Sequence, residues 1–117
     1  FATSTRTMSD ASGNTTVTGA GFTPRGAWVI ASIDSTTALS IGYSDWTNHY
    51  CIYDASFAGT GANNWGVAAS VGIGLYTTSA VTNQTGIFSS FNSDGGVITW
   101  TKIGSPTGTA RLIIIFF

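Results

Sequence analysis

The chain has 117 residues, a net charge of −1 and only 8% charged side chains, against about 25% in an average soluble domain. That length fits one domain, 1–117, able to bury a core without staples. Four scattered basic residues, Arg6, Arg25, Lys102 and Arg111, cannot form the stripe that neutralises a phosphate backbone, so nucleic acid is not an expected partner. Glutamate is absent and cysteine occurs once, which excludes an internal disulfide and thiolate metal knuckles. No transmembrane span or signal-peptide pattern is visible, so membrane insertion is not expected. The chain begins at Phe1, and we expect either a processed product or part of a longer polypeptide. The sequons at Asn14 and Asn83 are read as coincidence in a chain this rich in threonine.

Threonine is the commonest residue, isoleucine outnumbers leucine eleven to three, and aromatics reach 13%. Branched and flat side chains suit a pleated, half-buried surface. Short alternating runs broken by Gly, Asn, Asp and Pro predict an all-β fold, an antiparallel, jelly-roll-like β-sandwich of about eight or nine strands. In chain order the strands are expected at 1–8, 14–19, 26–34, 38–45, 48–54, 66–76, 86–92, 96–103 and 109–117. Trp28 and Trp100 fall inside strands and are expected in the core. In 38–45, Leu39, Ile41 and Tyr43 share one face and Ser40, Gly42 and Ser44 the other, the pattern of a strand with one wet face. The stretch 56–66 is the longest irregular one and reads as an exposed loop. Ser93-Asp94-Gly95-Gly96 predicts a tight hairpin. In 104–109, Pro106 fixes φ and Gly108 allows the reversal of a longer turn.

The segment 43–54, YSDWTNHYCIYD, gathers the only histidine, the only cysteine, two aspartates and four aromatic rings. On a strand His49, Cys51 and Tyr53 share one face, and Tyr50, Ile52 and Asp54 the other. Side chains at i and i+2 start about 6.5–7 Å apart, an awkward distance for a Cys–His nucleophile pair. Cys51 is therefore expected to be a small buried hydrophobe. A metal site from Asp45, His49, Cys51 and Asp54 needs a further His or Cys that the chain lacks. No Asp-x-Asp-x-Asp spacing supports calcium, and five scattered aspartates make a glycosidase pair improbable. The Gly-x-Gly of GTGANNWG lacks the lysine and helix of a phosphate loop. The expectation is a protein that is not an enzyme and needs no metal or cofactor. Exposed rings offer the alternative of sugar stacking: Trp46, Tyr50 and Trp65, with Asn48, Asn63 and Asn64 as polar partners, form the candidate ligand-binding set of a lectin-like sandwich.

The last strand, ARLIIIFF at 110–117, does not alternate. Leu112, Ile114 and Phe116 face one way, and Ile113, Ile115 and Phe117 the other. A sandwich covers only the inner set, so the outer set predicts a partner: a homo-oligomer with Ile113, Ile115 and Phe117 at the contact. The competing expectation is that the loop 56–66 folds over that strand.

Three segments resemble virion-surface β-sandwich modules of tailed bacteriophages. They are GAGFTPRGAWVIAS at 19–32, SIGYSD at 40–45 and GGVITWTKIGSPTGTARLIIIFF at 95–117. The resemblance covers about half of the chain and carries no catalytic residue. It implies a structural capsid-decoration, head-fibre or tail-fibre module on the virion surface, outside the cell. Such a module assembles with other virion proteins and with copies of itself, a trimer being the expected state, and serves host-surface adhesion through a cell-surface glycan.

Overall fold

A computed structural model describes residues 1–56, 63–79 and 82–117, with the side chains of 55, 56, 63–65, 78 and 79 outside the description. It contains ten strands: β1 (Ala2–Thr7), β2 (Gly13–Thr18), β3 (Gly26–Ile33), β4 (Leu39–Asp45), β5 (His49–Ser56), β6 (Asn63–Ala69), β7 (Ile73–Ser79), β8 (Thr82–Asn92), β9 (Gly95–Ile103) and β10 (Thr109–Phe116). All pairings are antiparallel. They form a six-stranded sheet, β1-β10-β3-β4-β5-β6, and a four-stranded sheet, β2-β9-β8-β7. The fold is an antiparallel β-sandwich. The jelly-roll nesting is confined to the outer strands, where β1 pairs with β10 and β2 with β9; β3 to β6 and β7 to β9 are simple meanders.

The strand expected at 66–76 is two strands in different sheets. Ser70 sits in the left-handed region at φ 70°, and its N–H donates to the His49 carbonyl at 2.9 Å. That bend ends β6 and sends the chain across to β7. The irregular stretch expected at 56–66 is partly strand, since Asn63–Ala69 pairs with β5; residues 57–62 lie outside the described residues. Both expected turns are present. Asn92 and Gly95 close the 93–96 hairpin as its last pair, and Gly104 and Gly108 take φ of 68° and 100° around Pro106.

Between the sheets, Leu112, Ile114 and Phe116 of β10 meet Phe88, Ile98 and Trp100 of the four-stranded sheet, with Met8, Ile33, Ile73 and Leu75 completing the core. One polar clamp crosses it. Arg6 Nε donates to Gln84 Oε1 at 2.8 Å, and Gln84 Nε2 donates to the carbonyls of Met8 at 2.7 Å and Asp10 at 3.0 Å. The Arg6 guanidinium also lies 5.3 Å from the Trp100 ring centroid. Gln84 is fully buried, so the clamp satisfies polar groups that would otherwise be costly there.

At the other end the sheets meet through small residues. The inner face of β4 is Ser40, Gly42 and Ser44, and all three are buried. Ser40 Oγ accepts the Gly74 N–H at 3.0 Å, and Ser44 Oγ accepts the Phe88 N–H at 2.8 Å. A Cβ on Gly42 would overlap the Gly72 carbonyl oxygen and lie 2.8 Å from the Cys51 Cβ. The two faces expected for 38–45 are present, and the small, polar one is the dry one. The serines are inside because β7 and β8 bring backbone donors to them, and Ile41 is 44% exposed.

Gly42→Ala drives a methyl into backbone that cannot yield. Overpacking of this kind costs about 1–3 kcal/mol or more, so the variant should lose roughly 5–10 °C in Tm by thermal CD. Gly13→Ala, where φ is +157° and an added Cβ meets nothing within 4 Å, reports backbone strain without a clash.

Candidate functional site

The reactive-looking segment 43–54 is a hairpin, β4–β5, and its residues are dealt to different surfaces. Asp45 caps the turn: its carboxylate accepts the Tyr43 hydroxyl at 2.6 Å and the N–H groups of Thr47 at 2.7 Å and Asn48 at 2.6 Å. The Tyr43 hydroxyl, followed by these backbone donors, holds the Asp45 carboxyl well below the usual carboxylate range, and the same bond pushes the Tyr43 phenol up.

His49 Nδ1 lies 2.7 Å from Ser44 Oγ. That oxygen also accepts the Phe88 N–H, and the imidazole tautomer sets which partner donates in the serine–histidine bond. A serine beside a histidine is the start of a nucleophile–base pair. Here, however, Ser44 is 0% exposed, and its hydroxyl ties the two sheets together. Cys51 is buried on the inner face as expected, and burial pushes its thiol up, away from the reactive thiolate. Asp54 lies on the opposite face of β5, 7% exposed. Among the described residues no three His, Cys, Asp or Glu side chains converge on a common point.

Of the candidate sugar-binding residues with described side chains, Trp46 and Asn48 lie in the turn between β4 and β5, and Tyr50 lies on β5. Trp46 is 58% exposed and packs edge-on against Phe91, centroids 5.6 Å apart, at the end of the core. Asn48 is tied to Asp45 in the turn. Tyr50 points out from the six-stranded sheet. The side chains of Asn63, Asn64 and Trp65 lie outside the described residues; their backbone forms the start of β6. Trp100 is core as expected, whereas Trp28 is 49% exposed. Trp28 follows Ala27 and precedes Val29 on β3, and those smaller neighbours face inward.

Trp28 belongs to the one extended surface of this molecule with a distinct chemistry. Cross-strand register aligns Ile113, Ile30, Ile41, Ile52 and Val67 in a row over β10, β3, β4, β5 and β6. The next row is Ile115, Trp28, Tyr43 and Tyr50. Phe117 extends the surface, its ring stacked on Tyr43 at 5.9 Å, while Trp28 meets Tyr43 edge-on at 5.4 Å. No charged side chain falls in either row. Ile113, Ile115 and Phe117 are 47% exposed each, as the uncovered outer face of β10 requires, and they are only the margin of a patch five strands wide. A shallow hollow of about 340 Å³ opens within it, lined by Trp28, Ile41, Tyr43, Tyr50, Ile52 and Val67.

The outer face of the four-stranded sheet is the opposite case. Asn14, Thr99 and Ser89 lie side by side there, Thr99 Oγ1 being 2.9 Å from Asn14 Oδ1 and 2.7 Å from Ser89 Oγ. Thr16 and Thr101 are exposed beside them. The outer face of the four-stranded sheet is rich in hydroxyls, with Ile87, Val97 and Ile103 among them; the central rows of the other outer face are isoleucine, valine and aromatic rings. Sequence reasoning found the β10 margin of this surface from its unbroken apolar run. It missed the β3, β4 and β5 part, whose signal was the alternation of small with large residues on strands 26–33 and 39–45.

The chain matches no known protein-family model, no curated protein and no solved structure.

Asp45 supports the hairpin only while ionised. A depressed carboxyl stabilises the fold above its unfolded value near pH 4 and loses that effect as pH falls towards the folded value. Asp45→Asn should therefore lower Tm at pH 7, and the gap to the wild type should narrow below about pH 4 in a pH series of melts.

Proposed function

We propose that this chain is a structural module of a virion surface, of the capsid-decoration or fibre kind that its turn-and-strand motifs resemble, and that it works by protein–protein assembly rather than by catalysis. The observation that carries this reading is the pair of charge-free apolar rows on the outer face of the six-stranded sheet. Monomeric soluble proteins rarely leave contiguous apolar patches of more than a few hundred Å² in water, and larger ones mark contact sites. The sequestered Ser44–His49 pair and the buried, raised Cys51 thiol fit a protein whose polar side chains hold the fold together. Antibody raised against the chain and imaged with gold should label the surface of phage particles produced by cells that carry its gene. Label found only on soluble cell protein, with particles bare, would contradict the reading.

A second reading rests on Trp46, whose ring is 58% exposed beside the polar turn of Asp45 and Asn48. That arrangement suits the stacking of one sugar ring and would add host-surface adhesion to the structural role. Glycan-array binding that disappears in Trp46→Ala, with an unchanged CD spectrum, supports adhesion. An array with no signal above background removes it.

A further inference from the structure

The apolar face also says which partner it fits. We infer that the partner is a second copy of this chain, and that the two copies pack their six-stranded sheets face to face about a two-fold axis running along β3. This rests on the reading of that face as a protein contact, and it adds the partner's identity and the symmetry.

Area is the first argument. Nine large apolar side chains on this face are between 38% and 75% exposed, and all but Val67 of β6 lie where an axis along β3 lays the other copy over them. At roughly 150–250 Å² for each when fully exposed, they leave on the order of 800 Å² of apolar surface. About 800 Å² from each partner is what a stable, specific interface buries. The chemistry is the second. Interfaces between unlike, separately soluble partners carry about as much polar surface as the rest of the protein, whereas homodimer interfaces are more apolar. Neither row contains a charge; Arg111 and Asp54, on the same face, lie in the row beyond Ile113 and Ile52.

Shape and symmetry place the axis. On one side of β3 lies β10, with Ile113 and Ile115 facing outward, and on the other a hollow opens over β4 and β5. Rotation by 180° about an axis along β3 lays β10 of one copy over β4 of the other, at the near side of the hollow, and does so twice. Ile113 and Ile41 flank Ile30 at one strand's distance on either side, so each Ile113 faces the other copy's Ile41. The strands of the two sheets stay nearly aligned, as sheets packed face to face require. A single continuous patch of this kind is self-complementary and closes with two copies. A cyclic trimer needs two different complementary patches on each copy, and the second outer face sets threonine, serine and asparagine among Ile87, Val97 and Ile103, with no comparable apolar row.

The inner faces point the same way. On β3, β4 and β5 the residues turned to the core are mostly small, Ala27, Ala31, Ser40, Gly42, Ser44 and Cys51, while those turned outward are Trp28, Ile30, Ile41, Tyr43, Tyr50 and Ile52. The bulkier face of this sheet is the one without a layer over it. A second copy supplies that layer and makes the outward side chains a second core.

Sedimentation of the purified chain between 1 and 100 µM tests the inference, with two charged variants and a control. The wild type should sediment as a species of twice 12.1 kDa. Ile113→Asp and Ile41→Lys should each be monomeric with an unchanged CD spectrum, and Thr101→Asp, on the hydroxyl face, should remain a dimer. Mixing the two monomeric variants then tests the axis. The carboxylate introduced at position 113 of one copy meets the ammonium introduced at position 41 of the other. The second contact keeps two isoleucines, and a heterodimer should reappear. A wild type that is monomeric at 100 µM or trimeric, or single variants that stay dimeric, overturns the second-copy proposal. A mixture that stays monomeric overturns the axis along β3. A monomeric wild type that still decorates particles, but loses them in Ile41→Lys, overturns the self-association and leaves the structural reading in place, the face then serving another virion protein.

Discussion

The inner face of β4 against β7 is the contact on which the rest of this architecture turns. Ser40, Gly42 and Ser44 offer two hydroxyls and a gap, and the backbone of β7 and β8 fills them with the Gly74 and Phe88 N–H groups and the Gly72 carbonyl. Polar groups buried here are satisfied, so their burial carries little penalty. The approach is too close for any side chain larger than serine at these positions. Period two does the rest: with 40, 42 and 44 turned inward, Leu39, Ile41 and Tyr43 must turn outward, and a slip of one residue would put isoleucine and tyrosine where only glycine fits. Pairing transmits that choice sideways, to Trp28 and Ile30 on one side and Tyr50 and Ile52 on the other.

This explains why a chain with so few charges can be both well packed and unfinished. At the β1–β2 end the sandwich has an ordinary core of large apolar residues, pinned by the buried Arg6–Gln84 clamp. At the β4–β5 end the two sheets are held by backbone and serine, and the large apolar residues lie on the outside. Fully burying one such side chain is worth roughly 1.5–3 kcal/mol, so covering that surface gains several kcal/mol before the cost of association.

Much of the fold was legible in the sequence. The hairpin at 93–96, the turn at 104–109 and the two-faced strand at 110–117 carry local signals that tertiary structure did not overrule. The face assignment of 38–45 was not legible, because alternation reveals that two faces differ and leaves open which one is inside. The usual rule that apolar faces inward was overridden by a neighbour distant in sequence, the Gly72–Gly74 segment. The strand at 66–76 hid a change of sheet at Ser70, a residue with no propensity for the left-handed region and held there by its bond to His49. The segment 43–54 is rich in chemical groups because a hairpin with two crowded faces needs a turn cap, a sheet-to-sheet bond, a small core residue and outward rings. Asp45, the Ser44–His49 pair, Cys51 and the rings meet those needs, and the histidine, cysteine and aspartates do not converge on one point.

The central claim is that the outer face of the six-stranded sheet is a protein contact. It is tested most directly by solvent paramagnetic relaxation of isoleucine methyl groups, recorded by NMR over a range of protein concentrations. The account predicts that the methyls of Ile30, Ile41, Ile52, Ile113 and Ile115 lose their relaxation enhancement as concentration rises, while Ile103, at the end of β9 and 49% exposed, keeps its own. Enhancement that stays equal across all six residues at every concentration would contradict it.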